Sequence, residues 1–168
     1  VSRLSHPHIV PVFEADVDNG KAFLVFELVK GLTLDQYLHA KGAIPCMQAV
    51  RLMAELLAAL DYAHEAGVIH RDLKPGNILI DQTGALRIMD FGAAVSGAAS
   101  VHGVGLNGTL AYMAPEVVDG SPANSASDLF SSGLIFFEML TGYAAVQETD
   151  TYQIIYHLTN QTISLPPE

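Results

Sequence analysis

The segment at residues 45–67 constrains the fold more than any other part of the sequence, because its apolar residues recur at α-helical spacing. The residues that share this spacing are Val50, Met53, Leu56, Leu57, Leu60 and Ala63. Gly67 is predicted to end this helix. A second stretch, residues 125–142, is mostly apolar and predicts a helix that is largely buried. With 168 residues, 50% of them hydrophobic, the chain can form one domain with a sizeable core.

The rest of the sequence predicts short elements, which are recognised by apolar runs between turn residues or by helical spacing. Two strands are predicted within residues 8–29, on either side of a turn at Asp18, Asn19 and Gly20, and three more at residues 68–73, 77–81 and 85–90. The further helices are residues 33–42, capped by Thr33 and ended by Gly42, and residues 150–160. Residues 92–111 are rich in Gly, Ala and Ser without a period, which predicts a loop.

The charge of the chain excludes some classes of partner. There are 8 Lys and Arg against 18 Asp and Glu, a net charge of −10, and no Lys or Arg follows Arg87. Nucleic acid and anionic membrane are not expected partners, because neutralising their phosphates requires clustered basic residues. A solvated acidic surface is the expected consequence, and a preference for basic peptides is the alternative. No membrane segment is predicted, and the single cysteine, Cys46, favours a reducing, cytoplasmic location.

Four polar side chains occur within residues 72–90 in a pattern that suits phosphoryl transfer. Asp72 and Lys74 are two residues apart, Asn77 follows three residues later, and Asp90 comes after a predicted strand. A carboxylate can orient an attacking hydroxyl and accept its proton, a cation offsets charge on the phosphoryl group, and hard oxygen ligands hold Mg²⁺. These residues supply all three functions, so the sequence predicts phosphoryl transfer from ATP.

Motifs along the chain resemble those of the eukaryotic-like, or Hanks-type, protein kinase family, in the order that the family has them. They are "HPHIV", "LVFELVKG", "HRDLKPGN", "DFG", "GTLAYMAPE" and "SDLFSSG". The third resembles serine/threonine kinases, and its "KPGN" form looks bacterial. The resemblance implies an α+β, protein-kinase-like fold: mostly the helical C-terminal lobe, with two strands and the hinge of the N-terminal lobe. It divides the chain into a small-lobe remnant at residues 1–29 and a large helical lobe at residues 30–168 that is incomplete at its C-terminus.

The resemblance also implies a role for individual residues at the site of ATP and Mg²⁺. Asp72 would be the catalytic base and Lys74 the cation that stabilises the phosphate, while Asn77 and Asp90 would hold Mg²⁺. The residues implied to bind adenine are Phe26 as the gatekeeper, Glu27 and Val29 through their backbones, and Leu79 beneath the ring.

A second group of residues is implied to support or regulate the site. His70 and Phe91 would stack in the interior, Thr109 would brace Asp72 and Lys74, and Asp128 would hold the backbone of the His70–Arg71 turn. Glu116 usually pairs with an arginine in this family, but no arginine follows Arg87 here. Phosphorylated Ser100 would pair with Arg71 and order the loop. This pairing would raise kinase activity only modestly, because residues 90–108 contain no second cation.

The motif "GVGLNG" at residues 103–108 resembles a phosphate-binding loop, but it follows "DFG", whereas the glycine-rich loop of a kinase precedes the catalytic loop. No other such loop and no small-lobe lysine strand is present, so we expect an internal fragment of a serine/threonine kinase domain that has little or no activity in isolation. Its substrate would be a protein or peptide with Ser or Thr. The alternatives are a non-catalytic, pseudokinase-like binding module and, more remotely, a small-molecule phosphotransferase.

Overall fold

A tight turn at Asn19 and Gly20 pairs β1 (Val12–Asp18) with β2 (Lys21–Phe26) as an antiparallel hairpin. The computed structural model that shows this describes residues 4–91 and 107–163. Both turn residues have positive φ angles, 49° and 77°, which two-residue hairpin turns require and which Asn–Gly adopts readily. The hairpin forms a two-stranded sheet of its own, as the turn signal in the sequence predicts.

A second antiparallel sheet lies beside the polar residues of the 70–77 segment. It consists of β3 (Gly31–Thr33), β4 (Ile78–Asp81) and β5 (Leu86–Ile88), in the order β3-β4-β5. At Gly31 the strands approach so closely that a Cβ atom would lie 2.2 Å from the carbonyl oxygen of Ile80, so only glycine fits. One turn of 3₁₀-helix, Pro75–Asn77, leads directly into β4.

The helices supply most of the remaining structure, and their ends follow the capping residues of the sequence. They are α1 (Leu34–Lys41), α2 (Cys46–Glu65), α3 (Asn107–Leu110), α4 (Pro115–Val118), α5 (Ser125–Thr141) and α6 (Thr151–Asn160). Thr33 caps α1 by accepting a hydrogen bond from the Gln36 backbone, and Asn124 caps α5 in the same way. Gly142 ends α5 with a φ of 80°, the left-handed conformation usual after a helix.

The core lies where α2 packs against α5 and against the second sheet. Its fully buried side chains include Leu52, Leu56 and Leu60 of α2, Ile135 and Met139 of α5, and Ile78, Leu86 and Ile88 of the sheet. A segment near the N-terminus joins this core through the backbone: Val10 N donates to Ile88 O at 2.8 Å, and Ile88 N donates to His8 O at 2.8 Å. The core therefore fixes the ends of β4 and β5, which flank the predicted catalytic residues.

Some of the predictions from sequence are wrong in detail. Residues 68–73 form no strand, because their backbone turns at Arg71, where φ is 72°. Within the predicted loop at 92–111, residues 107–110 form α3, while residues 92–106 lie outside the described part of the chain. Val50 and Leu57 of α2 are exposed although their spacing fits the buried face, because α5 and the sheet cover only one side of this helix.

The fold as described is a mixed α+β arrangement, which agrees with the predicted class. The division at residues 29 and 30 stays a prediction. Across residues 4–91 and 107–163, none of the helices combines the length and the apolar character that crossing a bilayer demands.

Candidate active site

The segment from His70 to Asn77 is held in its conformation by one buried carboxylate, Asp128, in the first turn of α5. Its Oδ2 accepts from the His70 backbone N at 2.9 Å, and its Oδ1 accepts from the Arg71 backbone N at 3.0 Å. Asp128 is only 2% exposed, so these N–H groups have no water to replace it. The two hydrogen bonds explain why Arg71 can keep a strained, left-handed backbone.

A third hydrogen bond to Asp128 comes from a residue that the sequence reading missed. His64 Nε2, near the end of α2, donates to Asp128 Oδ2 at 2.7 Å. Asp128 therefore joins α2, α5 and the 70–77 segment. Nothing in the local sequence around His64 marks it for this function, because its partner is 64 residues further along the chain.

Asp72, Lys74, Asn77 and Thr109 converge in one cluster. Lys74 Nζ lies 2.9 Å from Asp72 Oδ2 and donates to Thr109 Oγ1 at 2.8 Å. Asn77 Nδ2 donates to the Asp72 backbone carbonyl at 2.8 Å and to Asp72 Oδ2 at 3.1 Å. The other oxygen, Asp72 Oδ1, is covered from solvent and has no hydrogen-bond partner among the described residues. The cluster thus holds the carboxylate by one oxygen, and the second oxygen is unpaired within the part of the chain that the structure describes.

His70 connects this cluster to the segment that carries Asp90. Its Nε2 donates to the Met89 carbonyl at 3.0 Å, and its Nδ1 accepts from the Asp72 backbone N at 3.3 Å. Burial lowers the pKa of His70, which agrees with the neutral ring that these two roles require. The His70 ring meets Phe91 edge to face, with 4.8 Å between centroids.

Asp90 follows β5 in a left-handed conformation, with φ at 65°. The residue before it is fixed by a hydrogen bond from Met89 N to the Asn77 carbonyl at 3.0 Å. This bond brings together the two turns that carry Asn77 and Asp90, the two predicted metal ligands. A non-glycine residue in this conformation is uncommon, and such residues concentrate at functional sites.

The hinge-like segment lies at the end of β2. Phe26, Glu27, Val29 and, on β4, Leu79 are each partly buried. Glu27 N donates to Pro11 O at 3.1 Å, and its carboxylate Oε2 lies 3.0 Å from Arg87 Nη2 on β5. These two contacts hold the segment beside β5, and the adenine contacts stay predictions.

The segment that includes Thr109 and Glu116 lies against α5. Tyr112 donates its hydroxyl to Glu138 Oε2 at 2.6 Å, and Ser127 donates its hydroxyl to Glu116 Oε1 at 2.6 Å. Burial raises the pKa of Glu138, and burial together with Glu138 raises the pKa of Tyr112. In this chain Glu116 therefore has a serine of α5 as its partner. Ser100 lies outside the described residues, and the exposed Arg71 is the only member of that predicted pair that the structure describes.

The sequence of this chain is similar to those of several known proteins. The chain is 38% identical over 164 residues to a probable serine/threonine-protein kinase, pknA2, of Bifidobacterium longum, an alignment that covers 96% of this chain and 22% of that protein. It is 36% identical over 143 residues to the serine/threonine-protein kinase PrkC of Bacillus subtilis, covering 84% of this chain and 22% of that protein. Against the serine/threonine-protein kinase PknB of Mycobacterium leprae it is 39% identical over 148 residues, covering 84% and 24%.

These alignments span about a quarter of the length of the relatives. The family model described as the protein kinase domain matches residues 1–166, almost the whole chain. The matched region includes the Asp72 cluster, Asp90 and the segment along α5. The chain therefore belongs to the protein kinase domain family, and its relatives are bacterial serine/threonine kinases.

Proposed function

We propose that this chain carries the catalytic site of a protein serine/threonine kinase, which transfers the γ-phosphoryl group of ATP to a Ser or Thr hydroxyl. The observation that carries the proposal is the state of the Asp72 carboxylate. Lys74 and Asn77 both bind its Oδ2, whereas Oδ1 is covered and unpaired among the described residues. The Asp72 side chain as a whole is 40% exposed, so a substrate hydroxyl can approach it and would supply the hydrogen bond that Oδ1 lacks among the described residues.

The reaction then uses the cluster as it stands. The substrate hydroxyl donates to Asp72 Oδ1, its oxygen forms a bond to the γ-phosphorus, and the bond from that phosphorus to the bridging oxygen of ADP breaks. The proton of the hydroxyl passes to Asp72. Lys74, held by Asp72 and Thr109, offsets negative charge on the transferred group. Holding Lys74 from two sides limits the reorganisation needed when this charge develops.

The oxygen atoms that the site offers are of the kind that bind Mg²⁺. Both hydrogen bonds from Asn77 Nδ2 go to Asp72, so the amide oxygen is the atom that remains to bind a cation. Asp90 supplies a carboxylate from the adjacent turn. Mg²⁺ is usually held by one or two such protein oxygens together with substrate phosphates and water, and it would neutralise charge on the phosphates. No group of three His, Cys, Asp or Glu that could hold a metal occurs in the described ranges.

Adenine would bind at the hinge-like segment, through the backbones of Glu27 and Val29, with Phe26 and Leu79 as apolar walls. The contacts of Glu27 support this assignment. Its backbone N is tied to Pro11 and its side chain to Arg87, so its carbonyl keeps a fixed position next to β2. A backbone acceptor that is already fixed loses little entropy when it binds a ligand.

The test is phosphoryl transfer from radiolabelled ATP to Ser and Thr peptides by the full natural protein. We expect Asp72→Asn to lower kcat by about 10²–10⁴, the usual contribution of general acid–base catalysis and orientation. Asp61→Asn makes the same chemical change on the exposed face of α2 and should leave kcat unchanged.

Near-normal transfer by the Asp72→Asn variant would reject the assignment. A complete lack of transfer by the unaltered protein, with ATP binding retained, would instead favour the non-catalytic binding module. A product on a small-molecule alcohol but on no peptide would favour the small-molecule phosphotransferase.

A further inference from the structure

One face of α5 carries three buried polar side chains whose partners, Tyr112 and Glu116, lie outside the cluster of Asp72, Lys74, Asn77 and Thr109. Ser127, Ser131 and Glu138 are 4%, 7% and 8% exposed. At about 100° per residue they fall within roughly 40° of one another around the helix, whereas Asp128 lies about 100° from Ser127. The helix therefore holds the His70–Arg71 turn with one face and another segment with this polar stripe.

Each side chain of the stripe forms a hydrogen bond with the segment from Thr109 to Glu116. Ser127 donates to Glu116 Oε1, Glu138 accepts from the Tyr112 hydroxyl, and Ser131 donates to the Tyr112 backbone carbonyl at 2.7 Å. Tyr112 is thus held at its backbone and at the tip of its side chain. Of the three hydrogen bonds from the stripe, the one from Ser131 is the one that reaches the backbone.

The anchored backbone leads back to the reacting residues. Tyr112 N donates to the Thr109 carbonyl at 3.1 Å, and Thr109 Oγ1 accepts from Lys74, which binds Asp72. A narrow crevice beside Asp72 is also lined by Thr109, Met113 and Ser131. Because Thr109 reaches Asp72 through Lys74, a substrate that places its hydroxyl at Asp72 would come close to this end of the Thr109–Glu116 segment.

We propose that Ser131 is a positioning residue for the protein substrate: its hydroxyl fixes the Tyr112 carbonyl and so holds the Thr109–Glu116 segment in the form that a peptide binds. This inference rests on the proposed kinase function for the identity of the substrate. The anchoring of Tyr112 by Ser131 does not depend on the kinase function, because this hydrogen bond joins two parts of the same chain.

The adjacent serine provides a matched control. Ser131 also donates to the Ser127 carbonyl of its own helix at 3.1 Å, and Ser132 donates to the Asp128 carbonyl at 2.8 Å. Both hydroxyls are buried, both belong to α5, and both bond the carbonyl four residues earlier. They differ in that only Ser131 reaches Tyr112, so Ser131→Ala and Ser132→Ala separate the anchor from the effect of removing a buried hydroxyl.

The first measurement is hydrogen exchange in the full natural protein. In Ser131→Ala we expect the amides of Tyr112 and Met113 to exchange about three- to tenfold faster, the effect of one hydrogen bond, with little change in α2. In Ser132→Ala these amides should exchange at the original rate. Equal rates in the two variants would overturn the proposal. If Ser131→Ala does not fold, Ser131→Cys, which is slightly larger and keeps only a weak donor, replaces it.

The second measurement is kinetic and uses an arginine-rich dodecapeptide with a central serine, chosen because the chain is acidic. Ser131→Ala should raise the KM for this peptide about three- to tenfold and leave the KM for ATP within about twofold, because the hinge is untouched. An equal rise in both KM values, or an unchanged KM for the peptide with faster exchange, would overturn the substrate role. If the unaltered protein transfers no phosphate, the proposed function fails, and the exchange rates alone decide whether Ser131 is an anchor.

Discussion

The β1–β2 hairpin and the helical body around α2 and α5 are built in opposite ways. Among the described side chains of residues 12–26 none is buried, and Phe13 and Val17 are 60% and 62% exposed. In the body, Leu52, Leu56 and Ile135 are completely buried, and the polar groups of Asp128 are buried and hydrogen-bonded as well. Two strands without a covered face are only marginally stable by themselves. The helices of the body are stabilised further by the side chains that they bury against each other.

The two predicted functions of the site, phosphoryl transfer and adenine binding, fall in these two different regions. The residues proposed for phosphoryl transfer lie on the body, where Asp128 and His70 fix them from both sides. The residues proposed for adenine lie where the hairpin joins the body, tied by the bond from Glu27 N to Pro11 O and by the pair with Arg87. Groups that perform chemistry need the more rigid support, because small displacements weaken their effect.

The largest effect that we expect is the difference in hydrogen exchange between the two regions of this 168-residue chain. Amides of β1 and β2 should exchange ~10³-fold or more faster than those near Leu56, because the hairpin can open without disrupting the core. The measurement is exchange followed by mass spectrometry. Equal protection in both regions would show that another contact covers the hairpin, and the comparison would no longer hold.

The second effect concerns the body alone. Asp128→Ala removes the acceptor for the backbone N–H groups of His70 and Arg71 and for His64, and leaves the buried His70 N–H without this partner. We expect the free energy of unfolding to fall by about 3–5 kcal/mol, measured by urea denaturation. Asp61→Ala, on the exposed face of α2, should change it by less than about 0.5 kcal/mol. Equal losses in both variants would show that the Asp128 anchor contributes little.

A smaller effect should appear as a dependence on pH. Burial raises the pKa of Glu138 above its usual 4.5, so the folded protein holds this proton more tightly than the unfolded chain does. Its contribution to stability is therefore complete below pH 4.5 and is lost as the pH rises through the folded-state pKa.

Glu138→Gln keeps an acceptor for Tyr112 and should remove this slope. Asp81 and Glu148, whose pKa values are lowered by hydrogen bonds from Thr83 and His157, give slopes of the opposite sign. The quantity to measure is therefore the difference in unfolding free energy between the variant and the unaltered protein across the pH range. A difference that does not change with pH would contradict the prediction.

The smallest effect that we expect concerns the junction, where the Glu27–Arg87 pair joins the hairpin to the body. Arg87 pairs with Glu27, but its Nε is buried without a partner in the described ranges, so the pair is imperfect. Arg87→Met should change the unfolding free energy by only about 0–1 kcal/mol, while the amides of Phe26 and Glu27 exchange faster. A loss of several kcal/mol would show that the junction is as firmly built as the body.

Sequence alone predicted the elements that local patterns determine. The hairpin follows from Asn19–Gly20, and α1 from Thr33 and its apolar spacing. The polar residues of the cluster could be found because their types and order match a known pattern. The conformation of residues 68–73 could not be predicted, because a short apolar stretch bounded by turns favours a strand, while Asp128, more than fifty residues away, takes the N–H groups of His70 and Arg71.

The same limit explains the residues that sequence reading missed. His64, Ser131 and Ser127 act on partners that are distant in the chain or on another element, and no local pattern marks them. The spacing of Val50 and Leu57 shows that they share a helix face but not how far the neighbouring elements cover it. Tertiary contacts decide both questions.

The bridge that joins the N-terminal segment to β5 also affects the order of folding. Ile9 pairs with Ile88, roughly 80 residues later, and no local contact can substitute for this pairing. At about 5–20 residues per second, Ile88 is synthesised about 4–16 s after Ile9. Hairpin formation takes microseconds, so β1 and β2 can pair within this interval while the strand that attaches them to the body does not yet exist. During synthesis the exposed strands of the hairpin are therefore the part of this chain that most needs protection from other chains.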